Sequence, residues 1–257
     1  MIRVQNLTFA YHRHPPVLHD VSFAMERGEI VSILGPNGCG KSTLLKAILG
    51  LLPLSNGAVC IDDVPVASLS RKELAKKLAY VPQQHTGVYH YTALEMTLMG
   101  RTGDNPWRRY SQTDHSNARQ ALERVGMGHL AAHSYLRLSG GERQLVFIAR
   151  ALAQGSGFLI MDEPVSGLDY GNQFRLLETI TSLRQEGVTI ILTSHNPEQT
   201  ILLGGRAIFL QQGRLVTDGP ASDITTERVC ALYNLSPSTL RQAGIHIGGG
   251  VRKTYNQ

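Results

Sequence analysis

The sequence predicts an α/β fold: a mainly parallel sheet with helices packed against it and a largely helical subdomain inserted into it. Three observations point there. "EIVSILG" (29–35) is an apolar run ending in glycine, and after a short polar loop "KSTLLKAILGLL" shows apolar residues at helical spacing, with Pro53 as its stop. "GFLIMDEP" (157–164) and "GVTIILTSH" (187–195) are short continuous apolar runs bounded by glycine and polar residues, the texture of parallel strands covered on both faces, and residues 171–186 supply a helix between them. Between about residues 88 and 154 helical patterns replace strand signals.

The elements follow in order. "MIRVQNLTF" alternates as a strand does and lacks the apolar core of a signal peptide. "RKELAKK" (71–77) follows Ser70 with Glu73 three positions on, which predicts a capped, solvated helix. "TALEMTLMGR" opens on a second capping box, Thr92 with Glu95, and "SNARQALERVG" continues the helical texture after a polar connector, "TGDNPWRRYSQTD" (102–114). A third capping box opens a helix at Ser139, with Glu142 closing it and Leu145, Ile148, Ala149 and Leu152 at helical spacing. The end, "IHIGGGVRKTYNQ", reads as a loose tail.

Composition narrows the function. With 257 residues, 42% hydrophobic and 18% charged, the chain can build a sizeable core. Cys39, Cys60 and Cys230 are too few and scattered for a disulfide framework or a zinc site, which fits a reducing compartment. The longest nonpolar run, "AILGLLPL" (47–54), falls far short of the ~18 residues of a membrane span. A net charge of +5 rests on short runs, so no nucleic-acid partner is expected. His12, His14 and His19 have no acid or cysteine set beside them, so they read as surface loop rather than metal ligands.

"GPNGCGKST", after a strand and opening a helix, is a phosphate-binding loop in its required context. Gly35, Pro36, Asn37, Gly38, Cys39 and Gly40 form the loop, whose glycine-freed backbone amides wrap the phosphates; Lys41 reaches the β and γ oxygens, and Ser42, beside Thr43, offers a hydroxyl to Mg²⁺. Asp162 in "FLIMDEP" can hold the Mg²⁺ shell through water, and Glu163 is placed to polarise an attacking water as general base. His195 lies just past the next strand, at the edge where parallel sheets keep their ligands, within reach of a γ-phosphate. "LSGGERQ" (138–144) raises a separate question, because it is a second glycine-bearing helix start suited to an anion.

With "GPNGCGKST", "LSGGERQ", "FLIMDEP", "SGLD" and "TSH" in this order, roughly residues 1–220 resemble the ATP-binding cassette ATPases. The resemblance implies a P-loop NTPase core with an N-terminal antiparallel β region and a helical subdomain at about 88–154; residues 221–257 would be a C-terminal helical extension and tail. It also implies that two copies meet head to tail, and so accounts for the second helix start. Ser139, Gly140, Gly141 and Glu142 of one copy would complete the ATP site of the other, and loss of the γ-phosphate would let the pair open. By matching, Tyr11 resembles the aromatic that stacks on adenine. Gln83 resembles the glutamine that senses Mg²⁺ and faces a membrane partner, with Gln84 adjoining it. Asp169 resembles the residue that communicates across the dimer. Glu142, where glutamine is frequent, and Val165, where a small polar residue is usual, depart from the commonest pattern. Cys39 inside the loop makes the site sensitive to thiol reagents if they can reach it.

A finer resemblance, in "YTALEMTLMGR" and "DGPASDITTERVCALYNL", is to ATPase subunits of bacterial importers for iron chelates, haem or cobalamin, a pattern that molybdate importers share. It implies integral membrane permease subunits as partners, a periplasmic or surface substrate-binding protein acting indirectly, and a peripheral place on the cytoplasmic face of the inner membrane. The rival is a soluble cassette ATPase of the iron–sulfur assembly type. A single cassette argues against the translation type, and the stretch from Lys41 to Ser139 has no room for the coiled coil of the DNA-repair type.

Overall fold

A computed structural model describes residues 1–83, 90–101 and 109–238. Strands β1 (Ile2–Ala10), β2 (Pro16–Met25) and β3 (Ile30–Leu34) lead to helix α1 (Lys41–Ile48), β4 (Asn56–Ile61), β5 (Val64–Pro65), α2 (Arg71–Lys77) and β6 (Leu78–Val81). Helices α3 (Ala93–Leu98), α4 (Gln112–Arg124) and α5 (Gly140–Ala153) come next. The chain continues through β7 (Phe158–Met161), α6 (Tyr170–Gln185), β8 (Thr189–Ser194), α7 (Pro197–Leu203), β9 (Arg206–Gln211), β10 (Arg214–Pro220) and α8 (Thr226–Tyr233).

The strands form two sheets. The first is antiparallel, in the order β2-β1-β4-β5. The second runs β10-β9-β3-β8-β7-β6, and it is parallel from β9 to β6 with β10 antiparallel at its edge. Alternation along the buried strands divides two cores. Phe158, Ile160 and Ile191 face α1 and the antiparallel sheet, in a cluster with Leu44, Leu45 and Ile48. Leu159, Met161, Ile190 and Leu192 face α5 and α6, among Val146, Ile148, Leu176 and Ile180. Both faces of the parallel sheet are thus covered, as its unbroken apolar strands require.

Three capping boxes sit where the sequence places them, at Ser70–Glu73, Thr92–Glu95 and Ser139–Glu142. Helix α1 is shorter than expected. Pro53 is not its stop: Gly50 turns the chain at φ 65. The amides of Gly50 and Leu51 donate back to the carbonyls of Ala47 and Lys46 at 3.0 and 2.9 Å, the paired hydrogen bonds of a glycine-terminated helix. Helix α4 begins earlier than "SNARQALERVG", because Ser111 and Asp114 form a fourth box with an aspartate in the usual glutamate position. Residues 112–114 of the expected connector are therefore helical, and residues 102–108 of it lie outside the described residues. Gln84 and the expected tail also lie outside them.

Candidate functional site

The carboxyl ends of β3, β8, β7 and β6 lie side by side. Each carries one part of the predicted site: the phosphate loop after β3, His195 after β8, Asp162 and Glu163 after β7, and Gln83 after β6. This is the edge at which open parallel sheets hold ligands.

The loop forms because glycine is required at two points. A Cβ on Gly35 would come within 2.2 Å of the Leu210 carbonyl oxygen and 2.7 Å of Cys39 Sγ. Gly40, at φ 109, is the N-cap of α1 and offers no capping side chain. Every other α-helix described has one, from Ser70, Thr92, Ser111, Ser139, Asp169, Asn196 or Thr225. The first turn of α1 contains no acidic residue either. Its amides are left for an anion.

Lys41 is 5% exposed, and its ammonium donates to the carbonyls of Gly35 at 2.8 Å and Pro36 at 3.2 Å. It also lies 3.3 Å from Glu163 Oε1. The other oxygen of that carboxylate, Oε2, accepts from Gln83 Nε2 at 3.1 Å and meets His195 Nδ1 at 3.1 Å. Three residues chosen from sequence, Lys41, Gln83 and His195, therefore converge on the carboxylate of a fourth, Glu163. Glu163 itself stands at φ 42, a left-handed conformation that costs a non-glycine residue energy. With Asn37, Ser42 and Thr43 they line a cleft of about 420 Å³. Asp162 is buried, and its Oδ1 accepts from Thr193 Oγ1 at 2.6 Å. Tyr11 Oη lies 3.4 Å from Thr43 Oγ1, and its ring stands edge-on to Phe9 at 5.0 Å with 38% of the residue exposed. The Cys39 thiol is buried, and burial raises its pKa despite nearby Lys41, which disfavours the reactive thiolate.

Ser139 and Gly140 are exposed, and Ser139, Gly140, Gly141 and Glu142 are not among the residues lining this cleft. Ser139 N donates to Glu142 Oε2 at 2.7 Å, and these bonds hold the Glu142 pKa down. The hydroxyl accepts from Glu142 N at 3.3 Å. In the boxes of α2, α3 and α4 the hydroxyl proton is spent on the acid of the box. The Ser139 side chain likewise bonds the acid of its box, which adds to the lowering of the Glu142 pKa.

Two contacting residues escaped sequence reasoning. Thr193 bridges the acid pair, donating to Asp162 and accepting from Glu163 N at 2.8 Å. Its only signal was a threonine inside a fully buried strand. Asn172 receives Gly141: a Cβ there would come within 2.7–2.9 Å of its side chain. Asn172 in turn donates its backbone N–H to Asp169 Oδ1 at 3.0 Å, which lowers the Asp169 pKa.

The model of a family described as ABC transporter matches residues 18–166. The chain is 38% identical over 256 residues (99% of it and 96% of the relative) to an uncharacterized ABC transporter ATP-binding protein of Haemophilus influenzae. The chain belongs to the ABC transporter family. This cassette is also 38% identical over 236 residues (87% of it, 89% of the relative) to a hemin import ATP-binding protein of Hahella chejuensis. A zinc transport system ATP-binding protein of Treponema pallidum is 37% identical over 229 residues (88% and 84%). A solved structure described as a dimeric bacterial ABC transporter cassette superposes with a TM-score of 0.74 at 30% identity, covering 86% of this chain and 99% of that one. The cassette is an ATPase with the P-loop NTPase fold, and among its described residues no helix is long and apolar enough to cross a membrane.

Proposed function

We propose that this cassette is the nucleotide-binding subunit of an importer for an iron chelate, haem, cobalamin or a related metal compound. It would sit on the cytoplasmic face of the inner membrane against separate permease subunits, which a substrate-binding protein supplies. Relatives named for hemin import and zinc transport support the importer class, and cargo choice falls to the other subunits. The observation that carries the reading is the uncapped start of α1 beside Lys41, facing Glu163, Gln83 and His195.

In this reading the α1 amides and Lys41 hold the β and γ oxygens of ATP, and Tyr11 stacks on the adenine. Glu163 takes a proton from water as that water attacks the γ-phosphorus. The bond to the ADP oxygen breaks, releasing ADP and inorganic phosphate. His195, with Nδ1 held by Glu163, turns its other nitrogen to the γ-phosphate, and Gln83 orients the water and reports to the permease. The donors also suit Mg²⁺. Ser42 and Asp162, with Gln83 nearby, are hard oxygen donors, and among the described residues no group of three or more His, Cys, Asp or Glu forms a cage of its own. Mg²⁺ prefers such a site, with one carboxylate, phosphates and waters. When bound it neutralises phosphate charge. Exposed Ser139 at the start of α5 would meet a γ-phosphate presented by a second copy, with Asp169 carrying the state of one site to the other.

The test uses a tagged Glu163→Gln chain, purified with ATP from its native cells in mild detergent. It should retain ATP binding, lose roughly 10²–10³-fold in turnover as an enzyme without its base does, and bring down a many-spanning membrane protein in stoichiometric amount. Undiminished turnover would remove Glu163 from its role. Soluble partners alone would replace the importer by an iron–sulfur assembly ATPase.

A further inference from the structure

His195 hangs between β8 and α7, with its side chain 49% exposed. Its position depends on how the main chain around it is held. On the inner side Ser194 Oγ accepts from Asn196 N at 3.0 Å, forming a tight local turn. On the outer side the hold comes from far along the chain: Tyr233 Oη donates to the His195 carbonyl oxygen at 2.7 Å.

Tyr233 is the last residue of α8, and that helix end is itself fastened. Gln211 Nε2, at the end of β9, donates to the carbonyls of Ala231 and Leu232, each at 3.0 Å. Asn234 closes the helix in the left-handed conformation at φ 58. Val229, Cys230 and Leu232 pack on Phe209 and on Leu34, the residue before the phosphate loop. The tyrosine is thus a rigid arm rooted in the sheet beside the site, and its tip touches the backbone of the histidine. Burial pushes its ionisation up, and the nearby Cys39 and Glu163 push it further, so the hydroxyl keeps its proton for donation.

We propose that Tyr233 is a positioning residue for His195: its hydroxyl fixes the histidine backbone so that the imidazole meets Glu163 and the γ-phosphate together. Helix α8 thereby becomes part of the catalytic apparatus although it lies outside the matched segment 18–166. The inference rests on the role given to His195 above.

The test is ATP turnover by the full chain carrying Tyr233→Phe, which keeps the ring and removes the bond. We expect kcat to fall about five- to tenfold with KM for ATP within about twofold, since one hydrogen bond acting only on the reacting geometry is lost. The melting temperature should stay within about 2 °C. In a His195→Ala chain, read under single-turnover conditions, adding Tyr233→Phe should cost nothing more, because the bond acts through the histidine. An unchanged kcat in Tyr233→Phe, an additive loss in the double variant, or a loss shared equally by KM and melting temperature would each overturn the inference. Undiminished turnover in His195→Ala alone would instead overturn the role of the histidine.

Discussion

Glu163 shows how much one residue can be asked to hold. Its carboxylate faces an ammonium on one oxygen and an amide and an imidazole on the other, from a left-handed backbone position. That position is braced by Thr193, whose hydroxyl ties the Glu163 amide to the Asp162 carboxylate across neighbouring strands. Thr193→Val preserves shape and removes the brace. It leaves a buried carboxylate short of a donor, for which about 1–3 kcal/mol of stability should be lost. The released Glu163 backbone should lower turnover by about tenfold. Denaturant melts and steady-state rates on the same preparation check both. A loss of stability with an unchanged rate would show that Thr193 serves the core and not the site.

At the scale of elements, the start of α5 is built against α6. Gly141 leaves just the room that Asn172 occupies, and Asn172 holds Asp169. The second glycine of "LSGGERQ" therefore admits a side chain of its own chain, whereas the sequence suggests only that something approaches closely. Gly141→Ala would press on both Cβ and the amide group of Asn172, so it cannot be absorbed by moving a flexible tip. We expect a cost of about 1–3 kcal/mol from overpacking and a displaced Asp169, read as lower turnover and a shift in thermal melting. Unaltered values for both would mean that the helices part freely. What was legible here follows chain distance. A capping box spans four residues, so Ser70, Thr92 and Ser139 announce themselves. The start of α4 was missed because Asp114 stands in for glutamate, and the end of α1 because glycine stops a helix before proline does. The motifs of the site were legible because each is local to one strand end. Thr193 with Asp162, Gly141 with Asn172, and Tyr233 with His195 are separated by about 30 or more positions, and no local pattern records such pairs.

For the whole molecule, the separation of Ser139 from the cleft makes a prediction about copies. If each site takes its second helix start from a partner, Ser139→Arg and Glu163→Gln chains are each inactive alone but fail in different halves. A mixed pair has one intact site: the loop and base of the first chain with the Ser139 of the second. Mixing them should restore about a quarter of the wild-type rate, the share expected from random pairing in a two-fold assembly. No recovery across mixing ratios would count against sites shared between copies. The strand order carries a further consequence, for a chain still being made. β3 is synthesised early, but its two neighbours in the finished sheet are β8 and β9, both late. While the ribosome is still reading the middle of the message, the strand that leads into the phosphate loop has neither lateral partner, and the loop has neither Glu163 nor His195 beside it. Until residue 211 has emerged, the nascent cassette therefore carries a bare apolar strand that folding helpers must shield.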